Sequence, residues 1–152
     1  MHLRAYQPTD LTAVRTLFQD TVERVNWRDY SPEQLQAWIG PDDVTTRATW
    51  QATLCRHRTL VALDAERVVG FADMSEAGYL DRLYVAATHQ RQGIARALVL
   101  TLEQMTPAAS YTTLASITAR PFFEHQGYRV VRKNQVTRAG VALTNFAMHK
   151  DN

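Results

Sequence analysis

The chain has 152 residues, of which 45% are hydrophobic and 21% charged, a size and composition that predict one domain spanning residues 1–152. Its net charge is only +2 and its basic residues are scattered, which argues against a nucleic-acid-binding protein, and no apolar run is long enough to cross a bilayer. The single cysteine excludes an internal disulfide, and together with an N-terminus unlike a signal peptide it predicts a cytoplasmic protein.

The N-terminal third of the chain predicts one short strand followed by three helices. Residues 2–6 have the strand pattern, and apolar residues at helical spacing predict the first helix over 11–25. The second helix is predicted over 31–40, because a serine that can cap a helix is followed by a proline and then by a glutamine. Residues 42–54 predict the third helix.

The rest of the chain alternates between strand and helix patterns. Strand patterns cover residues 59–63, 68–72, 79–85, 111–116, 128–136 and 141–149. Helix patterns cover residues 94–105, which a proline ends, and 121–126, which a glycine ends. This order predicts an α+β fold in which one mixed sheet of about seven strands carries helices on both faces.

The segment between the strand over 79–85 and the helix that follows it has features of a phosphate-binding site. A helix N-terminus offers unpaired amide donors and the positive end of the helix dipole. Gly93 and Ala95 leave the backbone there accessible, while Arg91 and Arg96 add positive charge. The chain contains neither a P-loop nor a dinucleotide-binding glycine motif, so a simple turn with solvated arginines is the alternative interpretation.

Motifs in this region resemble those of the GNAT superfamily of N-acyltransferases. Residues 80–85, LDRLYV, and 90–95, QRQGIA, are similar to the superfamily's acyl-CoA signature, in which a strand leads into a helix N-terminus. Residues 119–128, ARPFFEHQGY, resemble a second superfamily segment in the expected order and spacing. Residues 25–38 are also similar to a small bacterial subgroup, the YafP-like acetyltransferases. The resemblance covers essentially the whole chain.

The resemblance implies a GNAT-type sheet that is mostly antiparallel and splayed at the central strand 79–85. In the superfamily, acetyl-CoA lies in that gap, with its diphosphate on the amides at the helix entrance and its pantetheine paired with free strand backbone. No metal is predicted, because the histidines lack metal-ligand spacing. The residues that the resemblance assigns to acetyl-CoA are Leu83, Tyr84, Val85, Gln90, Arg91, Gln92, Gly93, Ile94, Ala95, Arg96, Ser116, Phe122 and Phe123.

The reaction that the resemblance implies is direct attack of a primary amine, from a small molecule or a peptide, on the thioester carbonyl. The backbone N–H of Val85 is the candidate donor to the developing oxyanion. Phe123 occupies the position of a tyrosine that protonates the departing thiolate in many superfamily members, so another group must do so or the thiolate leaves unaided. Tyr128 is the nearby candidate for catalysis, and a packed ring with a solvated hydroxyl is the favoured alternative.

Asp81 is the candidate for the general base or for binding a cationic amine. Some superfamily members have a glutamate at the position of Tyr79, and strand alternation puts Tyr79 and Asp81 on the same face. An ion pair with Arg82 is the alternative role for Asp81, and Glu76 is the alternative base. The predicted acceptor-binding residues are Trp27, Tyr30, Tyr79 and Asp81, of which the first two suit packing between helices equally well.

The leading functional hypothesis is therefore an acetyl-CoA-dependent N-acetyltransferase. One alternative is a non-catalytic acyl-CoA-binding or sensing module, which the missing tyrosine and glutamate keep open. Another is a structural protein that has lost its ligand, against which the intact segment 90–95 argues. We expect a small-molecule or peptide amine as the partner, rather than a nucleic acid or a membrane, and the resemblance allows a homodimer.

Overall fold

The computed structural model describes residues 1–152 and has seven strands and five α-helices in the predicted order. The strands are β1 (His2–Ala5), β2 (Arg58–Asp64), β3 (Arg67–Met74), β4 (Tyr79–Val85), β5 (Ser110–Ser116), β6 (Arg129–Arg138) and β7 (Val141–Asp151). The helices are α1 (Leu11–Val25), α2 (Pro32–Ile39), α3 (Val44–Arg56), α4 (Ile94–Met105) and α5 (Arg120–His125). Short 3-10 helices at Pro8–Asp10, Asn26–Arg28 and Ala87–His89 were not predicted, because such short segments show no periodicity. None of the helices combines the length and apolar character needed to cross a lipid bilayer.

All seven strands belong to one sheet with the order β1-β2-β3-β4-β5-β7-β6. Every neighbouring pair is antiparallel except β4 and β5, which run parallel. Parallel neighbours require a crossover connection, and α4 provides it. The predicted α+β fold with a mixed, mostly antiparallel sheet is therefore confirmed.

The sheet is splayed at β4, as the resemblance implied. β4 and β5 are joined by only two residue pairs, Tyr79 with Thr112 and Leu80 with Thr113. Beyond these pairs the strands separate, so the second half of β4 has a partner strand on one side only. The gap between β4 and β5 is therefore a wedge whose closed end lies at the start of β4.

A β-bulge in β4 lies next to this closed end. Leu80 is opposite Met74, whereas Arg82 is opposite Asp73, so Asp81 is the additional residue. A bulge bends its strand and redirects side chains, which places Asp81 at the point where the two strands begin to diverge.

Helices α4 and α5 cover one face of the sheet. The buried side of α4 carries Ile94, Leu98, Val99 and Leu102, each of which stabilises the fold by about 1.5–3 kcal/mol through burial. α4 lies close to β3 because Gly70 has no side chain, and a Cβ there would be 3.2 Å from Ile94 Cγ2. This close approach holds the N-terminus of α4 beside the end of β4.

Helices α1, α2 and α3 cover the opposite face. Val14, Phe18 and Val22 of α1 pack with Phe71 of β3 in the second part of the core. Together the two helical layers bury both faces of the central strands, which explains why β2 and β3 read as continuous apolar runs.

Tyr30 ties this helical layer to the strands beyond the gap. Its hydroxyl accepts a hydrogen bond from the Ile117 amide at 2.9 Å and donates one to the Thr144 carbonyl at 2.7 Å. Its ring is buried and packs 5.2 Å from the ring of Trp38. Because Ile117 directly follows β5 and Thr144 lies in β7, Tyr30 anchors that side of the splay.

We expect Tyr30→Phe to lower the free energy of unfolding by about 1 kcal/mol, because the half-buried Ile117 amide and Thr144 carbonyl lose their shared partner. Urea denaturation measures this loss. Tyr79→Phe is the matched control, since the Tyr79 hydroxyl lines a cavity and has no partner in the protein, and it should change stability by less than about 0.5 kcal/mol. Equal losses in the two variants would contradict the anchoring role of Tyr30.

Candidate active site

A groove with a volume of about 520 Å³ lies where β4 and β5 separate. It is bounded by these two strands, by the entrance of α4 and by α5. The residues assigned to acetyl-CoA from the sequence line it with the exception of Gln92, which is exposed outside the groove. Those that line it are Leu83, Tyr84, Val85, Gln90, Arg91, Gly93, Ile94, Ala95, Arg96, Ser116, Phe122 and Phe123.

The entrance of α4 presents free amide groups to this groove. The first hydrogen bond of the helix runs from the Ala97 amide to the Gly93 carbonyl, so the amides of residues 94–96 have no partner within the helix. Gly93 has a φ of +82°, in the left-handed region, and a Cβ there would meet no atom within 4 Å. Glycine therefore allows this left-handed backbone conformation and also leaves open space next to the free amides.

Two arginines beside this entrance carry unpaired charge. Arg91 and Arg96 are exposed, line the groove and form no ion pair. Arg91 also has a φ of +60°, which is unusual for a residue with a side chain and marks a tight turn ahead of the helix. The arrangement as a whole is suited to an anion.

The end of β4 turns backbone groups towards the groove. The Ala86 amide donates to the Val69 carbonyl of β3 at 2.8 Å, and the alternation of an antiparallel ladder then directs the backbone groups of Leu83 and Val85 away from β3. The Val85 carbonyl accepts a hydrogen bond from Gln90 Nε2 at 2.6 Å. The Gln90 side chain therefore holds the backbone of the strand end, while the Val85 N–H faces the gap.

Sequence reasoning missed Thr21 and Asn26, which line the groove from the end of α1. Both are buried, and the Thr21 hydroxyl lies 3.5 Å from the Val85 carbonyl. The available signal was that both polar residues continue the apolar stripe of α1. A polar residue at a core position often faces a site.

Asp81 lies in the β4 bulge and lines the groove. Its carboxylate is 3.4 Å from Arg82 Nη1, which itself donates to Asp73 Oδ2 at 2.9 Å. Burial raises the pKa of the Asp81 carboxyl, and the positive charge of Arg82 opposes this rise. The base and ion-pair roles predicted as alternatives are compatible, because Arg82 bonds more closely to Asp73 and its guanidinium also stacks 4.3 Å from the centre of the Trp50 ring.

A buried charge cluster lies next to Asp81. Asp73 is fully buried, and its Oδ2 lies 2.8 Å from His57 Nδ1. His57, Asp73 and Asp81 each place one oxygen or nitrogen atom within 4.8 Å of the others, a spacing that a metal ion could span. The Arg82 guanidinium contacts both carboxylates, so we interpret the cluster as an ion-pair network at the bulge.

A second cavity, here called the side pocket, has a volume of about 140 Å³ and borders the groove. The residues that line both cavities are Trp38, Asp81, Tyr84, Leu114 and Ser116. The aromatic walls of the side pocket are the rings of Tyr30, Trp38, Tyr79 and Tyr84. Three of the predicted acceptor-binding residues, Tyr30, Tyr79 and Asp81, therefore lie together.

Trp27 does not reach the side pocket. Its side chain is 56% exposed, and the Arg28 guanidinium lies 5.3 Å from the centre of its ring. Trp27 belongs to the 3-10 helix over Asn26–Arg28, in which Asn26 faces the groove. The structure therefore does not place Trp27 with the other predicted acceptor-binding residues, and Trp38 of α2 lines the side pocket instead.

Tyr128 points away from the groove. Its hydroxyl donates to Glu103 Oε2 at 2.7 Å, and its ring is buried 5.3 Å from that of Phe123. Burial, followed by the hydrogen bond to Glu103, raises the pKa of Tyr128. The ring is packed as the alternative interpretation held, but the hydroxyl is not solvated, because it bonds the buried Glu103 carboxylate that Lys150 also contacts. This position does not fit the predicted catalytic role.

The α5 side of the groove combines two phenylalanine rings with the polar side chains of Ser116, Thr118 and Gln126. Phe122 and Phe123 pack edge to face at a centroid distance of 5.2 Å, and neither can donate a proton. Ser116 Oγ accepts a hydrogen bond from the Ala119 amide at 3.0 Å at the start of α5. The Ser116 hydroxyl proton stays available to the two cavities that this residue lines.

Comparisons with known proteins agree with this fold. A family model described as an acetyltransferase (GNAT) domain matches residues 26–150. YafP of Escherichia coli K12, described as an uncharacterized N-acetyltransferase, is 34% identical over 148 residues, which cover 97% of this chain and 94% of YafP. A solved GCN5-related N-acetyltransferase from Rhodopseudomonas palustris is 30% identical, with a TM-score of 0.93 over 99% of this chain and 95% of that one.

More distant structures share the fold as well. PaiA N-acetyltransferase of Thermoplasma acidophilum, solved in complex with coenzyme A, has a TM-score of 0.80 at 17% identity, over 99% of this chain and 98% of that one. The family model alone spans most of the chain, and YafP matches nearly all of it. On this basis, the chain belongs to the GNAT family of N-acetyltransferases.

Proposed function

We propose that this N-acetyltransferase takes its acetyl group from acetyl-CoA and transfers it directly to a primary amine of a small molecule or peptide. The observation that carries the proposal is the meeting of free helix amides, an open strand edge and the Asp81 carboxylate in one groove. Two structural neighbours, PaiA and YncA of Salmonella typhimurium, were solved with coenzyme A and acetyl-CoA respectively, which supports this donor.

The entrance of α4 fits the diphosphate of such a donor. The amides of residues 94–96 lack partners, and Arg91 and Arg96 have no carboxylate near them. The open space at Gly93 would admit phosphate oxygens to hydrogen-bond distance of these amides, whereas any Cβ would occupy it.

The reacting end of the donor would lie near Val85 and Asp81. When bound, acetyl-CoA supplies a thioester carbonyl that an amine can attack. The Val85 N–H faces the gap and donates to the negative charge that develops on the carbonyl oxygen. Asp81 accepts the proton that a protonated amine must lose, and its raised pKa makes it a stronger base than an exposed aspartate. Phe123 lines the groove but cannot donate a proton to the departing coenzyme A thiolate, and a thiolate can leave without one.

We expect Gly93→Val to abolish measurable acetyl-CoA binding in isothermal titration calorimetry. The branched side chain strains a backbone at φ +82° and fills the space beside the free amides. Gly140→Val is the matched control, because Gly140 has a φ of +76° and an equally open environment in the β6–β7 turn, away from the groove. This control should keep its affinity, and normal affinity in Gly93→Val, or a similar loss in both variants, would overturn the phosphate-binding role.

We expect Asp81→Asn to reduce kcat by at least about 100-fold while leaving the affinity for acetyl-CoA unchanged. The carboxylate is the active form, and its pKa is raised, so kcat/KM of the unmodified enzyme should fall as the pH drops through a value above the ordinary aspartate range of about 4. This fall in kcat/KM at low pH should be absent from the residual activity of Asp81→Asn. Thiol release assayed across the pH range measures both effects.

Glu76→Gln provides the control for this experiment. Glu76 was the alternative base in the sequence, but it is exposed and lines neither cavity. Its variant should retain full activity. A loss in Glu76→Gln together with normal turnover in Asp81→Asn would reverse the assignment, and binding of acetyl-CoA without thiol release for any amine would favour the non-catalytic binding module.

A further inference from the structure

The side pocket is lined by one negative and one positive side chain. Asp81 is its one carboxylate, and Arg138, at the end of β6, is its one cation. Arg138 is exposed at the mouth and forms no ion pair or hydrogen bond within the protein. A guanidinium without a partner beside a pocket is available to a ligand.

Two tyrosine hydroxyls add donors that the protein does not use. The Tyr84 hydroxyl accepts a hydrogen bond from Trp38 Nε1 at 3.2 Å, which leaves its own proton free. The Tyr79 hydroxyl has no partner in the protein. The remaining tyrosine of the pocket, Tyr30, has its hydroxyl committed to the Ile117 amide and the Thr144 carbonyl. The free groups are thus donors, and they call for a ligand rich in acceptors.

The positive charge of Arg138 acts on the interior of the pocket. Burial raises the pKa values of Tyr79, Asp81 and Tyr84, and Arg138 opposes the rise at each of them. The pocket therefore has a negative charge where it joins the groove, at Asp81, and a positive charge at its mouth, at Arg138.

We propose that the acceptor is a small primary amine that also carries an anionic group, with its amine at Asp81 and its anion at Arg138 and the free tyrosine hydroxyls. This inference rests on the proposed acetyltransferase function and narrows its substrate class. The volume of about 140 Å³ fits a molecule the size of an amino acid, and the aromatic walls accommodate its carbon skeleton. A carboxylate and a phosphate share the required chemistry.

Matched amine pairs test the proposal. Phenylalanine and phenethylamine differ only in a carboxylate, and phosphoethanolamine and ethanolamine differ only in a phosphate. We expect kcat/KM to be at least about tenfold higher for the anionic member of one of these pairs, and the pair that shows this preference identifies the anion. Arg138→Gln should reduce that preference to near unity, mainly through a higher KM for the anionic amine.

Arg132→Gln is the matched control, since Arg132 is an exposed arginine of the same strand that lies outside both cavities. It should leave the preference intact. Amines without the anionic group that are acetylated as well as their anionic counterparts, or a preference that survives Arg138→Gln, would overturn the inference while leaving the acetyltransferase function in place.

Calorimetry with coenzyme A present separates the remaining outcomes. One outcome is that no amine is turned over, but the anionic amines bind and bind more weakly to Arg138→Gln. The anionic amine then stands as the ligand class of the pocket, and the proposed transfer fails. If no anionic amine is either bound or turned over, the inference is wrong. Failure to bind acetyl-CoA itself would remove the proposed function on which the inference rests.

Discussion

The site depends on one constraint: β4 leaves β5 after two residue pairs. In a continuous sheet, the backbone groups of Leu83 and Val85 would be used by the next strand. A buried N–H or C=O without a partner costs about 1–3 kcal/mol, so an open strand edge persists only where solvent or a ligand reaches it. The groove gives that access, and the same loss of pairing that weakens the sheet makes its edge available for binding.

Contacts on both sides keep the strands apart. On the β4 side, the bulge carries Arg82 towards the fully buried Asp73, and His57 completes that cluster. On the β5 side, the Tyr30 hydroxyl bridges Ile117 and β7. A buried ion pair adds little net stability compared with apolar packing, but removing one partner is costly, so such clusters hold geometry strongly. Polar contacts thus anchor each side of the gap, while apolar layers pack on the two faces of the sheet.

The sequence was most informative where a local physical rule acts. The Ser31 hydroxyl accepts a hydrogen bond from the Gln34 amide at 3.1 Å, as the order of residue types predicts. Gly93 marked the start of α4, because a backbone that needs a positive φ selects glycine. Both features depend on neighbours within a few residues, and the element order of the whole fold follows from such local patterns together with hydrophobic periodicity.

Features formed by distant residues were not predictable in this way. Tyr128 is bonded to Glu103, which is 25 positions away in the chain, and no local pattern links them. The Asp73 cluster joins β3, β4 and the end of α3, and Arg138 reaches the side pocket from the end of β6. Trp27 lies in a 3-10 helix that the periodicity of the sequence does not reveal, and its side chain is exposed outside the side pocket.

The hydrogen bond from Gln90 to the Val85 carbonyl links two regions that would handle opposite ends of a long substrate. Because Gln90 bonds to the end of β4, it restrains the distance between the proposed diphosphate site and the Val85 amide. The backbone between Val85 and Gly93, together with this hydrogen bond, determines how far apart the two regions lie. Substitutions between Val85 and Gly93 that keep the Gln90 side chain would leave this hydrogen bond in place. A shorter side chain at position 90 would lose the bond and allow the two regions to move relative to each other.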